Sequence, residues 1–377
     1  MYTSRESVSV RDDSAGSDPR NNHDRINAIV LAGAVGQEHS WTGGLPRPLL
    51  PLPGGSLVEA LLGRLTTGLD GGRAICANGH TALLSESIGG RTSGRIHYYE
   101  DRLPRGTAGC LKDCACRFDG DTFLVAGGAV WLEDDPAHIV AEHRRQGNAL
   151  TVCCSGTRDA VQFGRHRALP PAGVYCCERS ALEHVRDAGF QDIKEQLIPA
   201  LREAGERVGV VVLSERTREV RTWSAYLSVL ARSLEAELFA KHHCDRLAPG
   251  IWVGRDVEIA ANARLFGPVF LGDGCRVGDG SVIVGPAVFG RNCRIGADSM
   301  LLRVVGHDNI CLPAGVHVAN QLLRDSMAQR GGAQAPRQIR VPAAQAPAPG
   351  PLARAGQPGP VTHGTVASIF RGLAMLV

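Results

Sequence analysis

The chain has 377 residues, of which 44% are hydrophobic and 21% charged, with a formal net charge of +3. That length suits two domains, because a single core stops growing at roughly 250–300 residues. The near-balanced charge and the lack of a long basic run argue against nucleic acid as a partner. No apolar run reaches the roughly 18 residues a bilayer span needs, so no transmembrane segment is predicted.

Residues 1–24 contain Ser, Arg, Asp, Asn and Gly and almost no large apolar side chains, which predicts a disordered tail. No apolar signal segment occurs there, so a cytoplasmic protein with reduced thiols is expected. Asn27–Ala32 reads as a buried strand. Leu57–Leu65 has helical spacing, with Leu57, Leu61, Leu62 and Leu65 on one face. Strands at 73–77, 96–99, 122–125 and 149–154 then alternate with helices at 81–88, 107–116 and 136–146. This alternation predicts a Rossmann-like α/β domain over 25–240, its mostly parallel sheet carrying helices on both faces. Further on, 173–177 and 208–213 read as strands, and 180–187, 193–204 and 224–239 as helices. Of the 12 cysteines, Cys153, Cys154, Cys176 and Cys177 fall in apolar strands and read as small buried hydrophobes. Cys110, Cys114 and Cys116 lack a matching His/Cys pair at zinc spacing and read as core residues too.

From Val253 the pattern changes to period six. Val253, Ile259, Leu265, Leu271, Val277, Ile283, Phe289, Ile295 and Leu301 form one series. Val257, Ala263, Val269, Cys275, Ser281, Ala287, Cys293 and Ser299 form a second, of smaller residues. One large and one small residue per hexapeptide is the signature of a short left-handed parallel β-helix, here spanning 241–325 with about three coils. Glycines 254, 272, 278, 290 and 296 follow the large residues and are expected at tight corners. Residues 326–362 are rich in Pro, Ala and Gly and predict a linker. In 363–377, Val366, Ile369, Phe370, Leu373 and Leu376 share one face of a short amphipathic helix, either docking on a partner or packing back on its own body.

Four segments carry chemistry. A strand enters a glycine-rich turn, Leu31-Ala32-Gly33-Ala34-Val35-Gly36-Gln37-Glu38, followed by Pro46-Arg47-Pro48. Gly106-Thr107-Ala108-Gly109 lies between a strand and a helix. Phe123-Leu124-Val125-Ala126 leads into Gly127-Gly128-Ala129. Glu219-Val220-Arg221 precedes the last long helix. In this order, with hexapeptide repeats behind them, they resemble the sugar-1-phosphate nucleotidyltransferases (NDP-sugar pyrophosphorylases). The resemblance covers about Asn27 to Leu302, and the repeats look like the C-terminal domain of GDP-mannose and ADP-glucose members.

The resemblance implies a role for each segment. The backbone of Leu31, Ala32, Gly33 and Gly36 would cradle nucleotide phosphates, and Arg47 would stand for the family's lysine. Gly106, Thr107, Ala108 and Gly109 would lie against the base, and Gly173 and Asp192 would line the sugar side. Two carboxylates would hold Mg2+, and here the pattern departs. Ala129 stands where the first carboxylate belongs, leaving Glu219 as the second. Gln37 and Glu38 replace a threonine and a catalytic arginine, and Arg221 replaces a glycine. Glu133, Asp134 and Asp135 could substitute as ligands, or simply open the helix at Pro136. No lysine precedes Gly173, although Arg165 and Arg167 do.

Three functions follow from the residues. The first is a catalytically degraded member that binds nucleotide or nucleotide-sugar and acts as a regulatory or assembly subunit, without a cofactor. It would form homo- or hetero-oligomers through the β-helix. The second is an active enzyme joining a nucleoside triphosphate and a sugar-1-phosphate with Mg2+. The third is a hexapeptide-repeat acyltransferase, which would need a histidine base. The coils from Val253 to Leu302 contain no histidine, and His307 and His317 lie just beyond.

Overall fold

The computed structural model describes residues 25–33, 40–79, 81–89, 96–101, 105–156, 169–236 and 244–324. The expected tail, the linker, the C-terminal helix, Gly36, Gln37, Glu38, Arg165 and Arg167 lie outside these residues. The chain forms two compact units. Residues 25–33, Leu45–Leu50 and the described residues of Ser56–Arg221 make the first. Residues 40–44, Pro51–Gly55 and the described chain from Thr222 make the second.

In the first unit, the strands are β1 (Ile26–Leu31), β2 (Arg73–Ala77), β3 (Ile96–Glu100), β4 (Thr122–Gly127), β5 (Leu150–Ser155), β6 (Pro171–Glu178) and β7 (Val208–Leu213). They form one sheet in the order β7-β5-β6-β4-β1-β2-β3, in which β6 runs antiparallel to both its neighbours. The helices are α1 (Leu57–Gly68), α2 (Thr81–Ile88), α3 (Gly106–Ala115), α4 (Pro136–Gln146) and α5 (Ile198–Glu203). Alternation along β5 shows how both faces are covered. Leu150 packs in a core with Leu111 and Cys114 of α3 and with Leu197 and Leu201. Thr151, on the opposite face, bonds the buried His143 of α4 at 2.7 Å. Strands covered on both faces have no polar side, which is why β1, β4 and β5 read as unbroken apolar runs. The segment 180–187 forms a 3-10 helix, Arg179–His184, rather than an α-helix, and α5 is entered through a π turn, Ile193–Leu197.

The sulfurs of Cys76 on β2 and Cys110 on α3 lie together, because α3 packs against β2. The sulfur of Cys114 completes a group of three within 4.8 Å, and Cys116 is exposed. The sequence cluster 110/114/116 is therefore not the spatial one. Burial pushes the Cys114 thiol up to about 12.

In the second unit, α6 (Trp223–Glu235) precedes a stack of short strands. Val253 pairs with Leu271 and Leu271 with Phe289, so successive coils are 18 residues apart. Each coil adds one parallel strand to each of three sheets, an arrangement consistent with a β-helix. Asp245–Ala248 closes the first sheet in antiparallel sense. The large series points inward: Leu271, Ile283, Phe289 and Leu301 are fully buried. The small series bonds along the stack, with Ser281 Oγ donating to Gly296 O at 2.9 Å and Cys275 Sγ to Gly290 O at 3.0 Å.

The role expected of the five glycines is corrected. None of them has left-handed φ; that conformation belongs to Asp256, Gly274, Asn292 and Asn309 at one corner and to Gly280, Asp298 and Gly315 at another. Gly272 and Gly278 instead permit close stacking, since a Cβ on either would meet the next coil's backbone at 2.7 Å. A fourth coil, not anticipated from the period, follows at Val305–Leu323.

Candidate functional site

The strand order reverses at β1: the chain moves outward through β2 and β3, then returns to place β4 on the other side. In open α/β sheets, ligands bind at the carboxyl ends of the strands flanking such a reversal. Here those ends are Leu31–Gly33 and Gly127–Ala129. Leu31 is in register with Gly127, and Gly128 N donates to Leu31 O at 2.9 Å. Ala32 N is held by Cys76 O at 2.7 Å. The 3-10 turn Arg47–Leu49 covers this junction, its Pro48 and Leu49 buried. Gly128 leaves the room, since a Cβ there would lie 3.0 Å from Ala32 and from Pro48 Cγ.

Arg218–Glu219 pairs antiparallel with Val130–Trp131, which sets Glu219 opposite Val130, and Val220 N donates to Ala129 O at 2.8 Å. The Glu219 carboxylate thus emerges beside the buried Ala129. It also lies over Gly173, where φ is +76° and a Cβ would sit 3.4 Å from Glu219 Oε2. Two guanidinium groups bracket it. Arg221 Nη2 donates to Oε2 at 2.5 Å, and Arg47 Nη1 stands 3.7 Å from Oε1. The Glu219 bond holds the Arg221 guanidinium above its ordinary pKa. On the next strand, Tyr175 is buried and its phenol is pushed up, first by burial and then by Asp192 and Glu219. It remains a neutral donor at any physiological pH.

Gly106-Thr107-Ala108-Gly109 opens α3 against Gln191 and Asp192. Gly106 has φ +83°, and Gln191 O accepts from Ala108 N at 2.8 Å and Gly109 N at 3.3 Å. Those two amides are committed within the protein, and Ala108 and Gly109 are buried. Thr107 is exposed; its Oγ1 donates to Asp192 Oδ2 at 2.8 Å and accepts from Ile193 N at 2.9 Å. Asp192 Oδ1 caps the following turn through Lys194 N and Glu195 N. Thr107 and Asp192 therefore lock two helix starts together.

The structure brings Ala32, Gly33, Arg47, Ala129, Gly173 and Glu219 to the ends of β1, β4 and β6. Sequence reasoning missed two members of that group: Tyr175, hidden in an apolar strand, and Arg221, read only as a departure. The proximity of Tyr175 to Glu219 depends on the short ladder 130–131/218–219, which has no periodic signature, whereas Arg221 stands two residues from Glu219 in the same segment.

The donor set does not fit Mg2+, which requires several oxygen ligands. Ala129 offers none. Glu219 is engaged by two guanidinium groups. Asp134 accepts from Ser214 N and Thr217 Oγ1, Glu133 pairs with Arg216, and Asp135 caps α4 through Ala137 N at 3.1 Å. All three acids are spent at the start of α4. Among the described residues, the group of three metal-competent side chains within reach of one another is the cysteine cluster.

Residues 27–167 match the family model described as nucleotidyl transferase. Over these residues the chain is similar to a nucleotidyl transferase domain. No curated protein matches the chain. A solved structure, HddC from Yersinia pseudotuberculosis, is similar at 13% identity and a TM-score of 0.41, over 50% of this chain and 90% of that one. Among the described residues no helix is long and apolar enough to cross a membrane.

Proposed function

We propose that the protein is a sugar-1-phosphate nucleotidyltransferase-like subunit that binds nucleotide or nucleotide-sugar without turning it over. The observation that carries this reading is Glu219, held between Arg47 and Arg221 beside Ala129. Nucleotidyl transfer needs charge stabilised as pyrophosphate departs, and positioned cations with Mg2+ supply most of it. A single carboxylate already paired with arginine cannot assemble that centre. The coil stack, read as a left-handed β-helix, then serves self-association or contact with a catalytic partner.

The test is release of pyrophosphate from a panel of nucleoside triphosphates and sugar-1-phosphates with Mg2+, run beside thermal shift with the same nucleotides. The expected result is stabilisation by nucleotide with no turnover. Each lost charge-stabilising group commonly costs about 10²–10³ in rate, so Glu38 in place of the loop arginine and Ala129 in place of the metal carboxylate together predict no turnover. Turnover in the ordinary enzyme range of about 1–10³ per second would sink the reading. The pair Ala129→Asp with Arg221→Gly restores an oxygen ligand and frees Glu219; measurable pyrophosphate release from it alone would support the assignment.

A further inference from the structure

We propose that this site binds the phosphates of its nucleotide without a divalent cation, Arg47 and Arg221 supplying the positive charge. The inference rests on the nucleotide-binding reading above and adds how the charge is met. The buried methyl of Ala129 removes one negative charge from the end of β4. Two guanidinium groups stand against the one remaining carboxylate, so the cluster carries about one net positive charge by itself. Arg47 reaches it from the turn over the β1–β4 junction, and Arg221 from the chain leaving the ladder with Val130–Trp131.

A guanidinium is always charged and presents a planar fork matched to phosphate oxygens. Arg221 is 60% exposed at its side chain, against 20% for Glu219, so its outward edge faces solvent while its inner edge holds the carboxylate. Glu219 thus has a role opposite to metal ligation. It aligns the two arginines when the site is empty, and it competes with phosphate for them. The neutral phenol of Tyr175 adds no negative charge to the cluster.

Glu219→Gln separates this arrangement from metal binding by the sign of its effect. If Glu219 held a metal, the amide would weaken nucleotide binding. If it competes with phosphate, the amide releases both arginines and strengthens binding. The experiment is calorimetry of the full chain with ATP, GTP, UTP, CTP and dTTP, each with Mg2+ and again with EDTA. Variants Glu219→Gln, Arg221→Gln and Arg221→Lys are included, with melting curves to confirm folding.

Affinity for the preferred nucleotide is expected to agree within about threefold between Mg2+ and EDTA. Arg221→Gln should lose roughly 10- to 100-fold, the usual worth of a charge-assisted hydrogen bond, and Arg221→Lys should recover part of that loss. Glu219→Gln should gain severalfold. Binding that needs Mg2+, or that weakens in Glu219→Gln, overturns the inference and leaves the nucleotide reading standing. No binding of any nucleotide under either condition overturns both.

Discussion

At residue scale, Gly106 and Gly33 are both expected at the nucleotide, yet their backbones make different demands. Gly106 has φ +83°, and a Cβ on it would lie 2.5 Å from Gln191 O. Gly33 has ordinary φ and nothing within 4 Å of its Cβ position. Gly106→Ala therefore adds left-handed strain of about 1–2 kcal/mol and pushes Gln191 off α3. The bonds from Ala108 N and Gly109 N weaken with it, for a total near 2–4 kcal/mol. Gly33→Ala should change stability by less than about 0.5 kcal/mol. Chemical denaturation measures both, and equal losses would refute the distinction. Because Gly33→Ala leaves the fold alone, any nucleotide affinity it loses reports how closely phosphate approaches the β1 turn. The charge of this site was only partly legible. Ala129 and Glu219 stood out because each replaced or kept a carboxylate in a recognisable motif. Arg221 had no such context, although it stands two residues from Glu219, close enough for a local pair.

At the scale of elements, apolar alternation revealed nearly every strand and helix of the sheet unit, because each is a continuous run covered on both faces. The antiparallel sense of β6 was not legible, since a buried strand has the same composition in either direction. The coils show a sharper limit. Period six runs without a break from Val253 to Leu301 and then slips by one residue. Phe289 pairs with Gly306, and Met300 with His317, at a separation of 17 instead of 18. The fourth coil therefore falls out of phase, and it opens on a glycine where earlier coils have a large residue. The packing explains the exchange. Phe289 is fully buried and fills the space beneath Gly306, where a Cβ would meet its ring at 2.7 Å. Gly306→Ala should cost about 1–3 kcal/mol as an overpacking change. Combined with Phe289→Leu, which vacates that space, the loss should be smaller than the sum of the single losses by about 0.5–3 kcal/mol. Strict additivity in thermal unfolding would show that the two positions do not share volume.

At the scale of the molecule, the order of the chain and the grouping of its parts differ. Composition and repeat place a boundary at 240/241, yet α6 and two early segments belong to the unit that contains the coils. Inside that unit, Tyr226 of α6 is fully buried and donates to Pro51 O at 2.5 Å. Trp41, Trp223 and Tyr226 form an aromatic cluster with ring centroids 5.6–6.1 Å apart. Arg324, at the far end of the last coil, donates to Gly43 O at 2.9 Å. Apart from Trp223–Tyr226, three residues apart on α6, none of these contacts has a local signature, because each joins residues far apart in sequence. A cut at 240 leaves Trp41, Gly43, Pro51 and α6 on one piece and the coils with Arg324 on the other. The cut severs the Arg324–Gly43 bond, worth about 0.5–1.5 kcal/mol, so separation should cost the coils stability. The piece 241–324 alone should melt several degrees below the coils of the intact chain. The piece 25–240 keeps Trp41, Trp223, Tyr226 and Pro51 together, so it should retain their near-ultraviolet dichroism. Mixing the two pieces should recover part of the lost coil stability. If each piece instead melts where the intact chain does, the early segments contribute nothing to the second unit's stability.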